Sequence, residues 1–332
     1  MHSAERVTLA RLPSGMAVET TVHRYGSGDP TVYVQAAQHG QEVNGTEVLR
    51  RVHEDLASAD LDGTLVAVPV ADPLTFDHVS YTTPGALDSS NPNLNRVWPG
   101  DPDGTIHERM AARLWEFAGD ADAVVDLHTG SPDMLTHTVY RRGDDTSRAL
   151  ALAFGTDVCL AEAAGDDAAT EWTERGFDGK FRVAASTAGI PAITPELGHN
   201  KQLVEPAIET GVRGVHNVLR HVGLLPGEPD TPAEQRIARN HLGRVSATES
   251  GLFRPTPDAT VGAWVHDGTH LGTVTDPTTY EDRQRVEASH DGLLYSVARE
   301  ATVTAGTTLV GIALPVDQAS GDGRGTASEG DR

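Results

Sequence analysis

Between residues 31 and 225 apolar positions arrive in short runs of two alternating kinds. "TVYVQAA", "TLVAVPVA", "ADAVVDLH", "TDVCLAEA" and "IPAITPEL" are near-continuous apolar stretches of strand length. Between them, 43–57, 105–118, 146–155 and 202–222 have helical spacing; in the last, apolar residues at 204, 208, 212, 215, 218, 219 and 222 keep a helical period. Strand-like runs alternating with helices predict an α/β fold, a mixed, mostly parallel sheet flanked by helices. "PGEPDTP" reads as a linker, and beyond it short strands separated by glycine turns predict a smaller all-β C-terminal domain. The expected division is an α/β domain over 1–230, a β-barrel-like appendage over 240–315 and a disordered tail over 316–332, where no apolar run remains.

Charge narrows the partners. With 48 acidic against 26 basic residues the chain carries a formal charge of −22, which repels nucleic acid and anionic membrane surfaces and leaves small solutes as the expected ligands. Lys180 and Lys201 are the only lysines, so the surface is rich in carboxylate and poor in ammonium, a composition that suggests a halophilic, salt-rich setting in which self-repulsion is screened. Cys159 is the only cysteine, which rules out an internal disulfide. The first residues lack the layout of a secretory signal, and no apolar run nears the roughly 20 residues that cross a bilayer, so a soluble, cytoplasmic protein is expected.

The candidate chemistry sits where apolar runs end. "VYVQAAQHGQEVNG" delivers His39 and Glu42 three positions apart on a turn leaving a strand, a spacing that lets both bend back towards one ion. A catalytic zinc takes three protein ligands, often two His and one Glu, with a fourth position for water. "ADAVVDLHTG" ends in His128 and "IPAITPELG" in Glu196. Ligands of an open parallel sheet collect beyond the carboxyl ends of its strands, so these residues converge if the strands are neighbours. Asp126, two positions before His128, is placed to orient a ligand or to serve as a structural hydrogen-bond partner. A long loop ending "NPNLNRVWPG" adds Asn95 and Arg96, the latter a planar fork suited to a carboxylate.

In this order, "QHGQEVNG", "NLNRVWPG", "VVDLHTG" and "PELG" resemble the succinylglutamate desuccinylase/aspartoacylase family, a branch of the zinc-carboxypeptidase-like superfamily. The resemblance implies one zinc per chain held by His39, Glu42 and His128. It implies substrate contact by Asn95 and Arg96, and Glu196 as the catalytic acid/base. The implied reaction is hydrolysis of a small N-acyl amino acid or related amide to a carboxylate and a free amine. A metallocarboxypeptidase acting on short peptides and a non-catalytic small-molecule-binding relative are the alternatives.

Two departures stand out. Relatives commonly read Asp-Leu-Asn-Arg where this chain has Asn93-Leu94-Asn95-Arg96, and many carry an upstream arginine for the oxyanion, whereas residues 76–94 contain none. His78, Ser80, a backbone N–H or the zinc itself are the substitutes considered. In the appendage, "VGAWVHDGTHLGTVTD" and "EASHDGLLYSVAREATVTAGTTLVGIA" resemble the halves of a lipoyl- or biotinyl-type barrel, but no lysine follows Lys201, so the carrier role fails. A rim at the pocket mouth or a contact surface for a homo-oligomer is left for it.

Overall fold

The computed structural model describes residues 1–130, 133–163 and 176–316. Most of the expected tail, from 317 onwards, lies outside the described residues. In chain order the first part comprises β1 (His2–Arg11), β2 (Ala17–Ser27), β3 (Thr31–Ala36), α1 (Asn44–Leu56), β4 (Gly63–Val68), α2 (Pro73–His78), α3 (Ile106–Ala118), β5 (Ala123–Gly130), β6 (Asp133–Met134), β7 (His137–Arg141), α4 (Asp145–Phe154), β8 (Val158–Glu162), α5 (Phe181–Thr187), β9 (Ala192–His199) and α6 (Glu205–Val222). The remainder is all strand: β10 (Arg236–Ser246), β11 (Gly251–Pro255), β12 (Trp264–Val265), β13 (His270–Thr275), β14 (Asp282–Glu287), β15 (Gly292–Val297), β16 (Thr302–Val303) and β17 (Thr308–Pro315).

One sheet runs in the order β1-β2-β4-β3-β5-β9-β7-β8-β10-β17-β15-β12, with β6 paired to β15. Its centre is parallel from β4 through β3 and β5 to β9, and β7 turns antiparallel against β9. Alternate side chains of the central strands enter two cores, as the period of two requires. Val34, Leu65, Val125 and Ile193 pack under α1, α4 and α6, whose contributions include Val48, Leu150 and Ile208. Tyr33, Val66 and Val124 face the other way, against Leu114 of α3 and Phe181 of α5. Helix α6 buries Ile208, Val215, Val218 and Leu219 from the expected stripe, while Val204, Val212 and Val222 are partly buried at its margin.

Three features depart from the pattern of the sequence. The first 27 residues form an antiparallel hairpin, β1 and β2, on the sheet's edge. The loop between β4 and α3 contains α2, capped by Asp72 accepting from the Leu74 and Thr75 amides, and a 3-10 turn over Leu94–Arg96. The C-terminal strands are joined to the first part through the ladder: β10 runs parallel to β8 and antiparallel to β17. A second sheet, β14-β13-β11-β16, closes over a core that includes Phe253, Leu271, Val274, Leu294 and Ile312. Among the described residues no helix is long and apolar enough to cross a membrane.

The long loop is anchored from beneath by a buried polar cluster. His107 on α3 lies 3.1 Å from Asp88, 3.3 Å from Asp72 and 2.9 Å from the Thr83 hydroxyl. Burial opposes a charge on this imidazole, yet the two carboxylates raise it above the ordinary histidine range. His107 therefore ties Thr83 and Asp88, in the first half of the loop that leads to Asn95 and Arg96, to α3.

Candidate active site

His39 follows β3 on a turn that passes tightly over α2. A Cβ on Gly40 would overlap the Thr75 carbonyl, so only glycine lets the chain make this passage. The Gly40 amide donates to the Ser80 carbonyl (2.9 Å) and the Glu42 amide to the His39 carbonyl (3.0 Å). This compact turn holds His39 and Glu42 side by side. His39 Nδ1 donates to the Tyr81 carbonyl at 2.8 Å, and its ring stacks on that of Tyr81 with centroids 3.9 Å apart.

His128 comes from β5, which is hydrogen-bonded to both β3 and β9. Its Nδ1 lies 2.9 Å from Glu42 Oε2 and its Nε2 lies 2.9 Å from Asp126 Oδ2. Glu42 Oε2 also accepts from the Thr129 amide at 2.9 Å. His39, Glu42 and His128 are all buried, and one ligand atom of each lies within 4.8 Å of those of the other two. The structure thus brings together the three residues whose convergence was expected.

Electrostatics favour a cation among them. Burial disfavours an imidazolium at His128, but Asp126 and Glu42 outweigh it and hold the group well above the usual histidine range. At His39 burial dominates and lowers the value, keeping that ring neutral. Two imidazoles and a carboxylate, supported from behind by a hydrogen-bonded carboxylate, form a donor set that fits a divalent metal.

The support behind His128 is itself fully engaged. Asp126 accepts from Gln35 Nε2 (3.1 Å) and Gln38 Nε2 (2.9 Å to Oδ1, 2.8 Å to Oδ2). Gln35 accepts from the Tyr33 hydroxyl and Gln38 from the Trp98 indole. Burial would raise the Asp126 carboxyl, yet His128 and the glutamines keep it lowered, hence ionised. On this geometry Asp126→Asn should weaken metal binding by about 10–100-fold, read by competition with a chelator. Unchanged affinity would show that Asp126 serves packing alone.

Glu196 is the register partner of His128 across β5 and β9, and of His137 across β9 and β7. The three therefore form a row beside the His39–Glu42 turn, lining a cavity of roughly 280 Å³. Burial pushes the Glu196 carboxyl up to about 7. Because this folded value lies above the reference of 4.5, its stabilising contribution is complete below about pH 4.5 and is lost as pH rises through about 7. In chelator-treated protein the unfolding free energies of wild type and Glu196→Gln should diverge by roughly 2–3 kcal/mol between about pH 5 and pH 8, with Gln favoured at the higher pH. Denaturant titration at both values measures this; a gap independent of pH would remove burial as the cause.

Asn95 and Arg96 both line the cavity. Asn95 Oδ1 accepts from the Phe181 amide at 3.0 Å and its Nδ2 lies 3.2 Å from His128 Nε2, so this amide is tied to the protein. The Arg96 guanidinium lies over the Phe177 ring, 4.7 Å from its centroid, and donates to the Asn95 carbonyl. His78 and Ser80 do not line the cavity, and His78 Nδ1 is bonded to the Leu74 carbonyl at 2.7 Å. Neither stands where an oxyanion substitute is needed.

Sequence patterning did not single out several cavity residues. Tyr81 stacks on His39, and Lys180 and Arg182 both pair with Glu162. Burial lowers the Arg182 guanidinium to about 10, and among the described residues its Nη1 has no hydrogen-bond partner. Arg244, Tyr295 and Thr308 reach the same cavity from β10, β15 and β17, so the C-terminal strands supply part of its wall. No local motif marks these positions.

Comparison with known proteins agrees with this architecture. The chain is 28% identical over 314 residues to the N-alpha-acetyl-L-2,4-diaminobutyric acid deacetylase of Halomonas elongata, covering 90% of this chain and 86% of that protein. In fold it resembles a succinylglutamate desuccinylase/aspartoacylase from Rhodobacter sphaeroides, with a TM-score of 0.81 at 24% identity over 96% of each chain. It also resembles the product-bound ectoine utilization protein EutE (DoeB) from Ruegeria pomeroyi, with a TM-score of 0.79 at 24% identity over 95% of each chain. At such identities the structural likeness speaks for the fold alone. Residues 28–222 match the model of the succinylglutamate desuccinylase/aspartoacylase catalytic domain, a stretch that holds His39, Glu42, Asn95, Arg96, His128 and Glu196. The chain belongs to the succinylglutamate desuccinylase/aspartoacylase family.

Proposed function

We propose that this protein is a zinc-dependent deacylase that hydrolyses the amide bond of a small N-acyl amino acid. The observation that carries the proposal is the convergence of His39, Glu42 and His128 beside Glu196 in one cavity. Bound by His39, Glu42 and His128, zinc would polarise the amide carbonyl and lower the pKa of water towards about 7. Glu196 accepts a proton from the attacking water and delivers it to the leaving nitrogen. A carboxyl raised by burial is suited to this double duty near neutral pH. Arg96 grips the substrate carboxylate and holds the amide in reach, with Asn95 fixing the floor beside His128. Asp126 holds the His128 ring in place.

The volume and walls of the cavity suit a small amide better than a long peptide, since Arg244, Tyr295 and Thr308 crowd it from the C-terminal strands. The likeness to the Halomonas elongata deacetylase makes N-acetyl-2,4-diaminobutyrate the first compound to assay. Zinc-loaded protein should release free amine from that compound or from another N-acetyl or N-succinyl amino acid, and more slowly from di- and tripeptides. A peptide preference would assign a carboxypeptidase instead. Zinc binding without turnover across the panel would assign a binding protein.

A further inference from the structure

A second cluster of histidines lies away from the cavity. His2 opens β1, His23 belongs to β2 and His53 to the last turn of α1. In the β1–β2 ladder His2 stands opposite Tyr25 and Ala4 opposite His23, so His2 and His23 are diagonal neighbours on one face, the face that α1 covers. One ring nitrogen of each histidine lies within 4.8 Å of one from each of the others. His2 Nε2 and His23 Nδ1 are 3.1 Å apart. The Tyr25 hydroxyl lies 2.9 Å from His53 Nδ1 and fixes the third ring.

We propose that His2, His23 and His53 form a second metal site, a three-imidazole site for a divalent transition metal such as Zn2+. Two nitrogens bound to one tetrahedral zinc at about 2.0–2.1 Å stand roughly 3.3 Å apart, close to the separation of the first pair. Hydrogen bonds account for the first pair and for His53 Nδ1, but not for the gathering of one nitrogen from each of the three rings at one point. His53 comes from a different layer of the fold and still presents a nitrogen to both, its ring 4.8 Å from that of His2 and 5.8 Å from that of His23. Imidazole nitrogens suit zinc, copper and nickel, whereas hard cations such as calcium and magnesium take oxygen. All three histidines are half-buried, so an ion has access. None of the three lines the cavity beside Glu196.

Occupied, this site would clip the first residue of β1 to β2 and to the C-terminal turn of α1, whose other end begins two residues after Glu42. Uptake of Zn2+ at micromolar free concentration tests the proposal. Wild type should bind one equivalent more than His23→Ala and one more than His53→Ala, and the zinc-dependent rise in Tm should shrink in both. His2→Ala, at the end of an edge strand, gives the same comparison should either inner variant fail to fold. Equal uptake by wild type and the folded variants overturns the proposal and leaves an aromatic, hydrogen-bonded cluster. The readout is a difference of one equivalent whatever His39, Glu42 and His128 hold, so the two sites stand or fall separately.

Discussion

Glu196→Gln is expected to lower kcat by about 10²–10⁴-fold while the bound metal is retained. Gln keeps the size of the side chain and its place in the β9 ladder, opposite His128, but cannot take a proton at neutral pH. The three proposed ligands are untouched, and their mutual contacts come from β3, β5 and the intervening turn rather than from β9. KM should change far less than kcat, because Arg96 and the walls of the cavity are unaltered. Metal analysis together with steady-state kinetics on the best N-acyl substrate reads both halves of the expectation. If zinc is retained and kcat also stays within a few-fold of wild type, another group moves the proton and Glu196 is structural.

Removing a ligand should have the larger effect. His128→Ala and His39→Ala are each expected to lose the metal at this site and to lower kcat/KM by about 10³-fold or more, since Lewis-acid and nucleophile activation vanish together. Their structural costs differ. His39 touches mainly the Tyr81 ring and carbonyl, whereas His128 separates two carboxylates, Glu42 and Asp126, that would otherwise face each other without an intervening cation. His128→Ala should therefore be destabilised by roughly 3–5 kcal/mol, the usual cost of breaking a buried charged pair, and His39→Ala by less. Thermal unfolding separates misfolding from loss of metal, and a His128→Gln variant keeps a polar group between the carboxylates. A folded His39→Ala protein that retains zinc at this site and full turnover would refute the proposed centre.

How far the sequence spoke for itself differs from element to element. The cores of β3, β4, β5, β8 and β9 and the helices α1, α3, α4 and α6 were legible because strands buried on both faces read as apolar runs and amphipathic helices keep their period. The β1–β2 hairpin was not. Its first strand, "HSAERVTLAR", exposes Ser3, Ala4, Glu5 and Arg6 in succession and buries only Val7, Leu9 and Ala10. Short elements such as β7 and α5 gave no period long enough to read, and the parallel pairing of β10 on β8 joins residues some 80 positions apart, which no local pattern encodes.

Within the site, His39, Glu42, His128 and Glu196 were visible because each follows or ends an apolar strand, where an open sheet gathers its chemistry. Tyr81, Lys180, Arg182, Arg244 and Tyr295 were not, since tertiary packing alone delivers them to the cavity. Asn95 and Arg96 stood out by motif. Their position is secured by contacts the motif does not contain: the Phe181 amide on Asn95 Oδ1, the Phe177 ring against Arg96 and, earlier in the loop, the His107–Asp88 contact.

The ladder between β8 and β10 bears on where this chain can be divided. Val158, Cys159, Leu160 and Ala161 pair residue by residue with Arg236 to Arg239, and all four are buried. A polypeptide stopping at residue 222, where the match to the family's catalytic domain ends, would present that strand as an open hydrophobic border, the kind of surface that recruits other chains into aggregates. Residues 28–222 on their own are therefore expected to need β10 as a cover for β8.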